Sequence, residues 1–237
     1  CLPEVAVKTV LIGLLALILA TWAMAPTLYP AVPTTVWILR KELILLSGLA
    51  SFVMMSLVML LAVRPRWLER PLGGLDRMYR LHKWAGILAI GLALTHYLLD
   101  LSKDLLQLFF ERGAKLPRAE GMLDMFRDVA KDAGEWSVWI LGAMLVLTLW
   151  QRFPYHFWRY VHKVLALVYL ALALHAVVLA PAVWWQQPVG WLFGLIALVG
   201  SSADLITLTG NIARRRRCRG RIVQVERLVG DVLEVTC

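Results

Sequence analysis

The sequence of 237 residues contains little cysteine and little charge. Its three cysteines, Cys1, Cys218 and Cys237, form no spacing typical of a metal site, and they predict no disulfide framework. Charged residues make up 17% of the chain and hydrophobic residues 60%, which is outside the usual range of soluble domains. This composition excludes an ordinary water-soluble fold, and we expect a lipid bilayer to surround most of the chain.

Six apolar runs predict six membrane-spanning helices. Crossing the hydrocarbon core of a bilayer takes about 20 apolar residues. The fourth run has only about 15, so a buried or tilted helix would also fit it. The predicted spans are 5–24, 43–63, 81–99, 136–150, 164–180 and 191–208. The expected fold class is therefore an all-α membrane protein, a bundle of six transmembrane helices.

The distribution of basic residues predicts the orientation of the bundle. The net charge of +9 comes mostly from the second connection, the fourth connection and the tail after the last span. The third connection, 100–135, holds eight acidic residues against six basic ones. Because basic connections stay in the cytoplasm, both termini are expected there and 100–135 outside. This placement explains the charge without a nucleic-acid partner, although Arg40 and Lys41 are then external.

Two further segments have recognisable patterns. Residues 101–110 and 122–131 show apolar residues at helical spacing, which predicts two short amphipathic helices on the outer surface. After the run of arginines at 214–217, apolar and polar residues alternate on either side of a Gly-Asp turn, which predicts a β-hairpin. Since two strands cannot fold alone in water, we expect the start of a larger cytosolic β-domain that continues in a longer protein.

Four of the five histidines lie in apolar spans: His82 and His96 in the third, His162 and His175 in the fifth, while His156 is in a basic loop. A histidine in lipid is a functional candidate because burying its polar ring costs free energy. Separations of 14 and 13 residues place the members of each pair about 20 Å apart along the helix axis. Because the two spans run parallel, His82 should pair with His162 near the inner face, and His96 with His175 near the outer.

Each pair of imidazoles is a candidate ligand set for haem iron. The sequence offers no nearby Cys, Asp or Glu to complete a tetrahedral zinc site at either level. A 14-residue step returns to within about 40° of the same helix face, whereas a 13-residue step misses by about 140°. The second pair therefore requires a kinked or overwound fifth helix, or haems approached from different sides.

Other residues near the inner pair also fit this interpretation. Gly86 and Ala166 stand one turn after the inner histidines, where either the face of a porphyrin or ordinary helix packing would need small residues. Haem propionates need cations, although positive-inside topology alone would also place bases here. The four flanking basic residues are Arg80, Lys83, Arg159 and Lys163.

Two segments carry a specific resemblance. RPRWLERPLGGLDRMYRLHKWAGILAIGLALTHYLL and YHFWRYVHKVLALVYLALALHAV resemble the third and fifth helices of the ferric reductase and NADPH oxidase superfamily, whose haem ligands are histidine pairs at these separations. The resemblance extends over about 5–237 and implies a transmembrane haem domain at 1–213. It also implies that 214–237 is a basic linker with the first strands of a truncated FAD-binding domain.

The resemblance implies an NAD(P)H-dependent oxidoreductase with two b-type haems. Electrons would pass from NAD(P)H to FAD, to the inner haem, to the outer haem and to an external acceptor. The nicotinamide site and most of the flavin site would lie in a fused cytosolic dehydrogenase domain beyond residue 237. In the oxidases an aromatic residue often lies between the haems; here Val168 takes that position with Tyr169 next to it, and whether Tyr169 substitutes is open.

Residues at the outer end of the bundle indicate which external electron acceptor the protein would use. Oxygen-reducing members place a second histidine one turn after the outer ligand of the third helix, together with an arginine from the second. Arg40 is the candidate for that arginine and for a catalytic role, but Asp100 stands at the histidine position. An ionised carboxylate cannot donate a hydrogen bond to superoxide and would repel it. We therefore expect reduction of a ferric chelate rather than of O2.

Three alternatives remain open from the sequence. One is a superoxide-producing NADPH oxidase, and another is the haem-containing membrane subunit of a periplasmic methionine sulfoxide reductase system. The third is a non-catalytic membrane protein, such as a transporter that uses its histidines as proton relays. Asp204 in the last span is expected near the inner interface, either paired with the following arginines or as a plain helix-end carboxylate.

Overall fold

The described part of the chain consists of seven α-helices and one β-hairpin. The computed structural model describes residues 2–25, 35–111, 124–150, 154–210, 223–227 and 233–236. Short 3-10 turns precede the fifth and seventh helices, at Asp124–Phe126 and Ala182–Gln186. The helices are α1 (Leu2–Ala23), α2 (Val36–Ala62), α3 (Arg66–Leu72), α4 (Leu75–Leu106), α5 (Arg127–Leu149), α6 (Tyr155–Leu179) and α7 (Pro188–Leu208).

Four of the described helices are long and apolar enough to cross a membrane. They are α2, α4, α7 and the part of α6 at Tyr160–Leu179, and they overlap the predicted spans at 43–63, 81–99, 164–180 and 191–208. The predicted first span falls on α1, which has a shorter apolar stretch at Val7–Ala23. The predicted fourth span falls on α5. A helical membrane protein is confirmed, while six crossings stay a prediction.

Local sequence signals explain where two helices begin. The side chain of Thr35 caps α2 by accepting a hydrogen bond from the backbone N–H of Ile38, at 3.3 Å. Gly73 and Gly74 separate α3 from α4 and have φ angles of 77° and 113°. Residues with a Cβ rarely adopt these angles, so the Gly-Gly pair lets the short helix turn directly into α4.

The second helix is the centre of the bundle. It packs against α4, α7, α6 and α1, whereas α6 packs mainly against α5. On α2, the Phe52 ring stacks on Tyr169 of α6 with centroids 5.8 Å apart and lies 5.4 Å from the ring of Phe193 on α7. The Ser51 hydroxyl donates to the Ala89 carbonyl of α4 at 2.9 Å. Close packing and buried hydrogen bonds of this kind hold helices together in lipid.

The prediction of two separate short amphipathic helices is wrong, because the described parts of both segments belong to longer helices. Residues 101–106 continue α4, because neither glycine nor proline interrupts the chain after the third span. Residues 127–131 are the first turns of α5, while 122 and 123 lie outside the described residues. His156 is also in the first turn of α6 rather than in a loop, two residues after Pro154 at the N-cap.

A short antiparallel hairpin follows the last helix. Strand β1 (Gln224–Arg227) pairs with β2 (Leu233–Thr236), with Gln224 opposite Thr236 and Arg227 opposite Leu233. The predicted hairpin is confirmed. The larger β-domain and the domain boundary after residue 213 stay predictions, and the arginines at 214–217 lie outside the described residues.

Candidate functional site

The outer pair consists of His96 on α4 and His175 on α6. The centroids of the two rings are 6.2 Å apart and their planes meet at 84°. The Nδ1 of His96 is 2.8 Å from the carbonyl oxygen of Ile44, and the Nδ1 of His175 is 2.8 Å from that of Ala130. Because a carbonyl oxygen only accepts, each Nδ1 carries the proton and donates. Each Nε2 therefore keeps a lone pair for a ligand.

The inner pair consists of His82 on α4 and His162 on α6. The two half-buried imidazoles lie within electrostatic range of each other. The Nδ1 of His82 donates to the carbonyl oxygen of Val58 on α2, at 3.1 Å. The structure thus brings together the same two pairs of histidines that the helix spacing predicts. Their role as ligands stays a prediction.

The geometry of the outer pair fits a group bound between its two rings. An imidazole centroid lies about 1.2 Å from its nitrogen and a metal–nitrogen bond is about 2.0 Å, so rings on opposite sides of one ion are about 6 Å apart. Among the described residues, no group of three or more His, Cys, Asp and Glu side chains is placed to hold a metal ion. The donors that the structure brings together at this level are two imidazoles, which would suit an iron whose other ligands belong to a porphyrin.

The course of α6 explains the 13-residue separation of its histidines. The helix runs continuously from Tyr155 to Leu179 and contains no proline. On ideal helix geometry His162 and His175 would leave it on sides about 140° apart. An uninterrupted helix without proline is compatible with sites on different sides, and the choice between the two sequence alternatives stays a prediction.

Two glycines touch the outer histidines, and neither was predicted from the sequence. A Cβ on Gly48 of α2 would lie 2.9 Å from the Nδ1 of His96. A Cβ on Gly134 of α5 would collide with the Nδ1 of His175. The carbonyl groups that accept these hydrogen bonds were not predicted either, because every residue has a carbonyl and only the packing of the helices decides which one an imidazole reaches. The sequence feature that could have indicated them is a glycine four residues after each accepting residue.

Arg40 is bound to the C-terminal end of α4. Its Nε donates to the Leu99 carbonyl at 2.9 Å and to the Ser102 hydroxyl at 3.2 Å. Its Nη2 donates to the Asp100 carbonyl at 2.5 Å and to the Asp100 carboxylate at 3.3 Å. The guanidinium is thereby fixed beside the residue that follows His96 by one turn. Its catalytic role stays a prediction.

The basic residues near the inner pair are placed differently from one another. The Nε of Arg80 is buried and has no hydrogen-bond partner among the described residues, so it is suited to an anionic group such as a propionate. Lys83 is exposed, and the Nζ of Lys163 lies 5.4 Å from the centroid of the Tyr160 ring. The side chain of Arg159 lies outside the described residues.

The small residues near the inner pair make helix contacts. A Cβ on Gly86 would first meet the side chain of Val58, at 3.9 Å, and Ala166 belongs to the buried core. These contacts fit ordinary helix packing, and a porphyrin face at these residues stays a prediction. Tyr169 is buried as well, and its hydroxyl lies 2.9 Å from the Ser56 hydroxyl. Whether its ring assists electron transfer stays open.

Asp204 is completely buried near the C-terminal end of α7. Neither carboxylate oxygen has a hydrogen-bond partner among the described residues. The arginines at 214–217, its predicted partners, lie outside those residues, so the ion pair stays a prediction. The alternative, a plain helix-end carboxylate, stays a prediction as well.

The fold and site define a helical membrane protein with two pairs of intramembrane histidines, and the family comparison agrees. The family described as ferric reductase like transmembrane component matches residues 47–173. The matched stretch is more than half of the chain and includes His82, His96 and His162, while His175 follows two residues later. The chain belongs to this family of oxidoreductases and is an integral membrane protein. A search of curated proteins gives no match.

Proposed function

We propose that this chain carries electrons from a cytosolic flavin, reduced by NAD(P)H, to an external acceptor through two b-type haems. The proposal depends above all on the 6.2 Å separation of the His96 and His175 rings, with Nδ1 of each bound to a backbone carbonyl. Haem, when bound, would supply a one-electron carrier at each level of the membrane. His82 and His162 would hold the inner group.

The histidines determine how the acceptor meets the outer site. Each would contribute Nε2, so His96 and His175 together would hold the outer haem. An acceptor would then receive its electron without binding the haem iron. This favours an acceptor that reacts without entering a small pocket, such as a ferric chelate.

Arg40 and Asp100 favour the same choice of acceptor. The buried side of the Arg40 guanidinium is held by α4, and the residue is positioned to attract an anionic chelate or a haem propionate. Asp100 occupies the place where oxygen-reducing relatives carry a histidine. The Asp100 side chain is 71% exposed, and its carboxylate, when ionised, cannot donate a hydrogen bond to superoxide.

The cytosolic side of the proposal is supported by the hairpin. Strands β1 and β2 follow the last helix, as expected where a flavin-binding barrel begins. A fused dehydrogenase domain with FAD and a nicotinamide site would deliver the electrons to the inner pair. Both termini would then be cytoplasmic, with the connection between α4 and α5 outside.

Steady-state assays on the full-length enzyme in membranes test the acceptor. With NADPH or NADH supplied, reduction of an anionic ferric chelate should be faster than superoxide formation. Replacing His96 with Ala should stop both reactions, which shows that the electrons pass through the outer pair. If superoxide forms rapidly and adding the ferric chelate does not lower its rate of formation, an NADPH oxidase is favoured instead.

A further inference from the structure

We propose that Gly48 on α2 and Gly134 on α5 are positioning residues that set the orientation and the basicity of the outer histidine ligands. This inference deepens the proposed function and depends on it. Neither glycine touches a substrate or the reacting atoms. Each acts by letting an imidazole reach a helix carbonyl that a side chain would otherwise shield.

The contact at Gly48 shows how the arrangement works. In an α-helix the N–H of Gly48 donates to the Ile44 carbonyl, and the Ser47 hydroxyl donates to the same oxygen at 3.1 Å. The Nδ1 of His96 also donates to this oxygen, at 2.8 Å. A Cβ on Gly48 would lie 2.9 Å from this Nδ1 and 3.0 Å from Cε1. An alanine here would therefore force the ring or the helix to move.

The same arrangement recurs on a different helix. The Nδ1 of His175 donates to the Ala130 carbonyl of α5 at 2.8 Å, and Gly134 is the residue four positions later. A Cβ on Gly134 would collide with the imidazole. A single glycine in contact with an imidazole would be ordinary helix packing. Here α2 and α5, the two helices that flank the pair, each have such a glycine four residues after the carbonyl that accepts from the imidazole, and this repetition supports the inference.

Other positions in the bundle provide internal comparisons. At the inner pair, His82 donates to the Val58 carbonyl at a longer 3.1 Å, and the residue four positions later is Ala62, which has a methyl group. Gly91 on α4 and Gly142 on α5 would each accommodate a Cβ with nothing within 4 Å. Close contact is therefore not a general property of the glycines in these helices.

The hydrogen bonds have a chemical consequence for a bound metal. A donor bond from Nδ1 fixes the tautomer and the ring orientation and makes Nε2 more basic. A more basic ligand stabilises the oxidised metal and lowers its reduction potential. Weakening the bond at Gly48 or Gly134 should therefore raise the potential of the outer group, and it should disturb the 84° angle between the rings.

The test uses the full-length, haem-loaded enzyme purified in detergent. Gly48→Ala and Gly134→Ala should raise the midpoint potential of the outer haem and shift its low-spin electron paramagnetic resonance signal, or remove that haem alone. The inner haem should be unchanged. Gly142→Ala, on the same helix as Gly134, and Gly91→Ala should match the wild type. A purely structural role would lower thermal stability and leave potential and signal unmoved, which overturns the inference.

A second variant keeps the inference testable if an alanine variant does not fold. Ala62→Gly removes a methyl instead of adding one, and it should let His82 approach the Val58 carbonyl. The inner haem should then show a lower midpoint potential while the outer one stays constant. An unchanged inner potential would count against the inference. A wild-type protein without haem would instead overturn the proposed function.

Discussion

The guanidinium of Arg40 lies 3.3 Å from the carboxylate of Asp100, one helical turn beyond His96. Exposed ion pairs contribute little to stability, and 71% of the Asp100 side chain is exposed. The Arg40 side chain is only 14% exposed, however, and it also donates to the Leu99 carbonyl and the Ser102 hydroxyl. Its main physical role is therefore to join α2 to the outer end of α4 with a charge fixed between them.

Replacing Arg40 with Ala should weaken the reduction of an anionic ferric chelate. Loss of the fixed positive charge should raise KM several-fold and reduce the dependence of the rate on salt, because long-range attraction is lost. A neutral ferric complex should be affected much less. Lys103→Ala, which removes a charge from the same end of α4, is the control. Equal loss with both complexes would show that Arg40 has only a structural role.

Single histidine variants should remove the haems selectively. His96→Ala and His175→Ala should lose the outer haem and keep the inner, because each leaves one imidazole without its partner. His82→Ala and His162→Ala should do the reverse. His156→Ala is the matched control, since this exposed histidine belongs to neither pair. Haem per polypeptide, measured from absorption spectra, should fall from two to one in the first four variants; loss of both haems from every folded variant would contradict the pairing.

The spacing of the histidines was sufficient to predict the pairs. A fixed helical rise converts 14 and 13 residues into two depths, and parallel helices then join His96 with His175. The carbonyl acceptors of Ile44 and Ala130 could not be predicted, because they are backbone atoms selected by how α2 and α5 pack. The role of Gly48 is hidden for the same reason, since glycine is common in membrane helices.

The ends of the helices were predicted less well than their centres. Leu99 was expected to end the third span, but α4 continues to Leu106 because neither glycine nor proline interrupts 100–106, and the leucines and Lys103 there are good helix formers. A membrane span ends where lipid ends, whereas a helix ends where its backbone pairing ends. Asp204 was placed correctly in the last span, while its complete burial depends on neighbouring helices.

Labelling of introduced cysteines tests the orientation of the bundle. In a background with the three native cysteines replaced by serine, Asp104→Cys should react from outside with a reagent that does not cross membranes. Arg70→Cys should react only after the membrane is permeabilised, because the basic connection before α4 is expected in the cytoplasm. Both positions are exposed, so accessibility is matched. External labelling at position 70 would reverse the proposed direction of electron flow.

Gly200 should be among the glycines least tolerant of substitution. A Cβ there would collide with the Tyr169 hydroxyl and would lie 2.8 Å from the Ser56 Cβ. Gly200→Ala should lower the free energy of unfolding by about 1–3 kcal/mol through overpacking. Tyr169→Phe should cost about 0.5–1.5 kcal/mol by removing one hydrogen bond. Thermal unfolding in detergent measures both, with Gly142→Ala as control; a neutral Gly200→Ala would contradict this packing.

The number of haems per polypeptide tests the central claim most directly. A reduced-minus-oxidised absorption spectrum of the purified chain, combined with a quantitative protein assay, measures it. The four histidines in two pairs predict two b-type haems per polypeptide, both low-spin because each iron would have an imidazole on either side. One haem per polypeptide, none, or a high-spin haem open to added ligands would contradict the account.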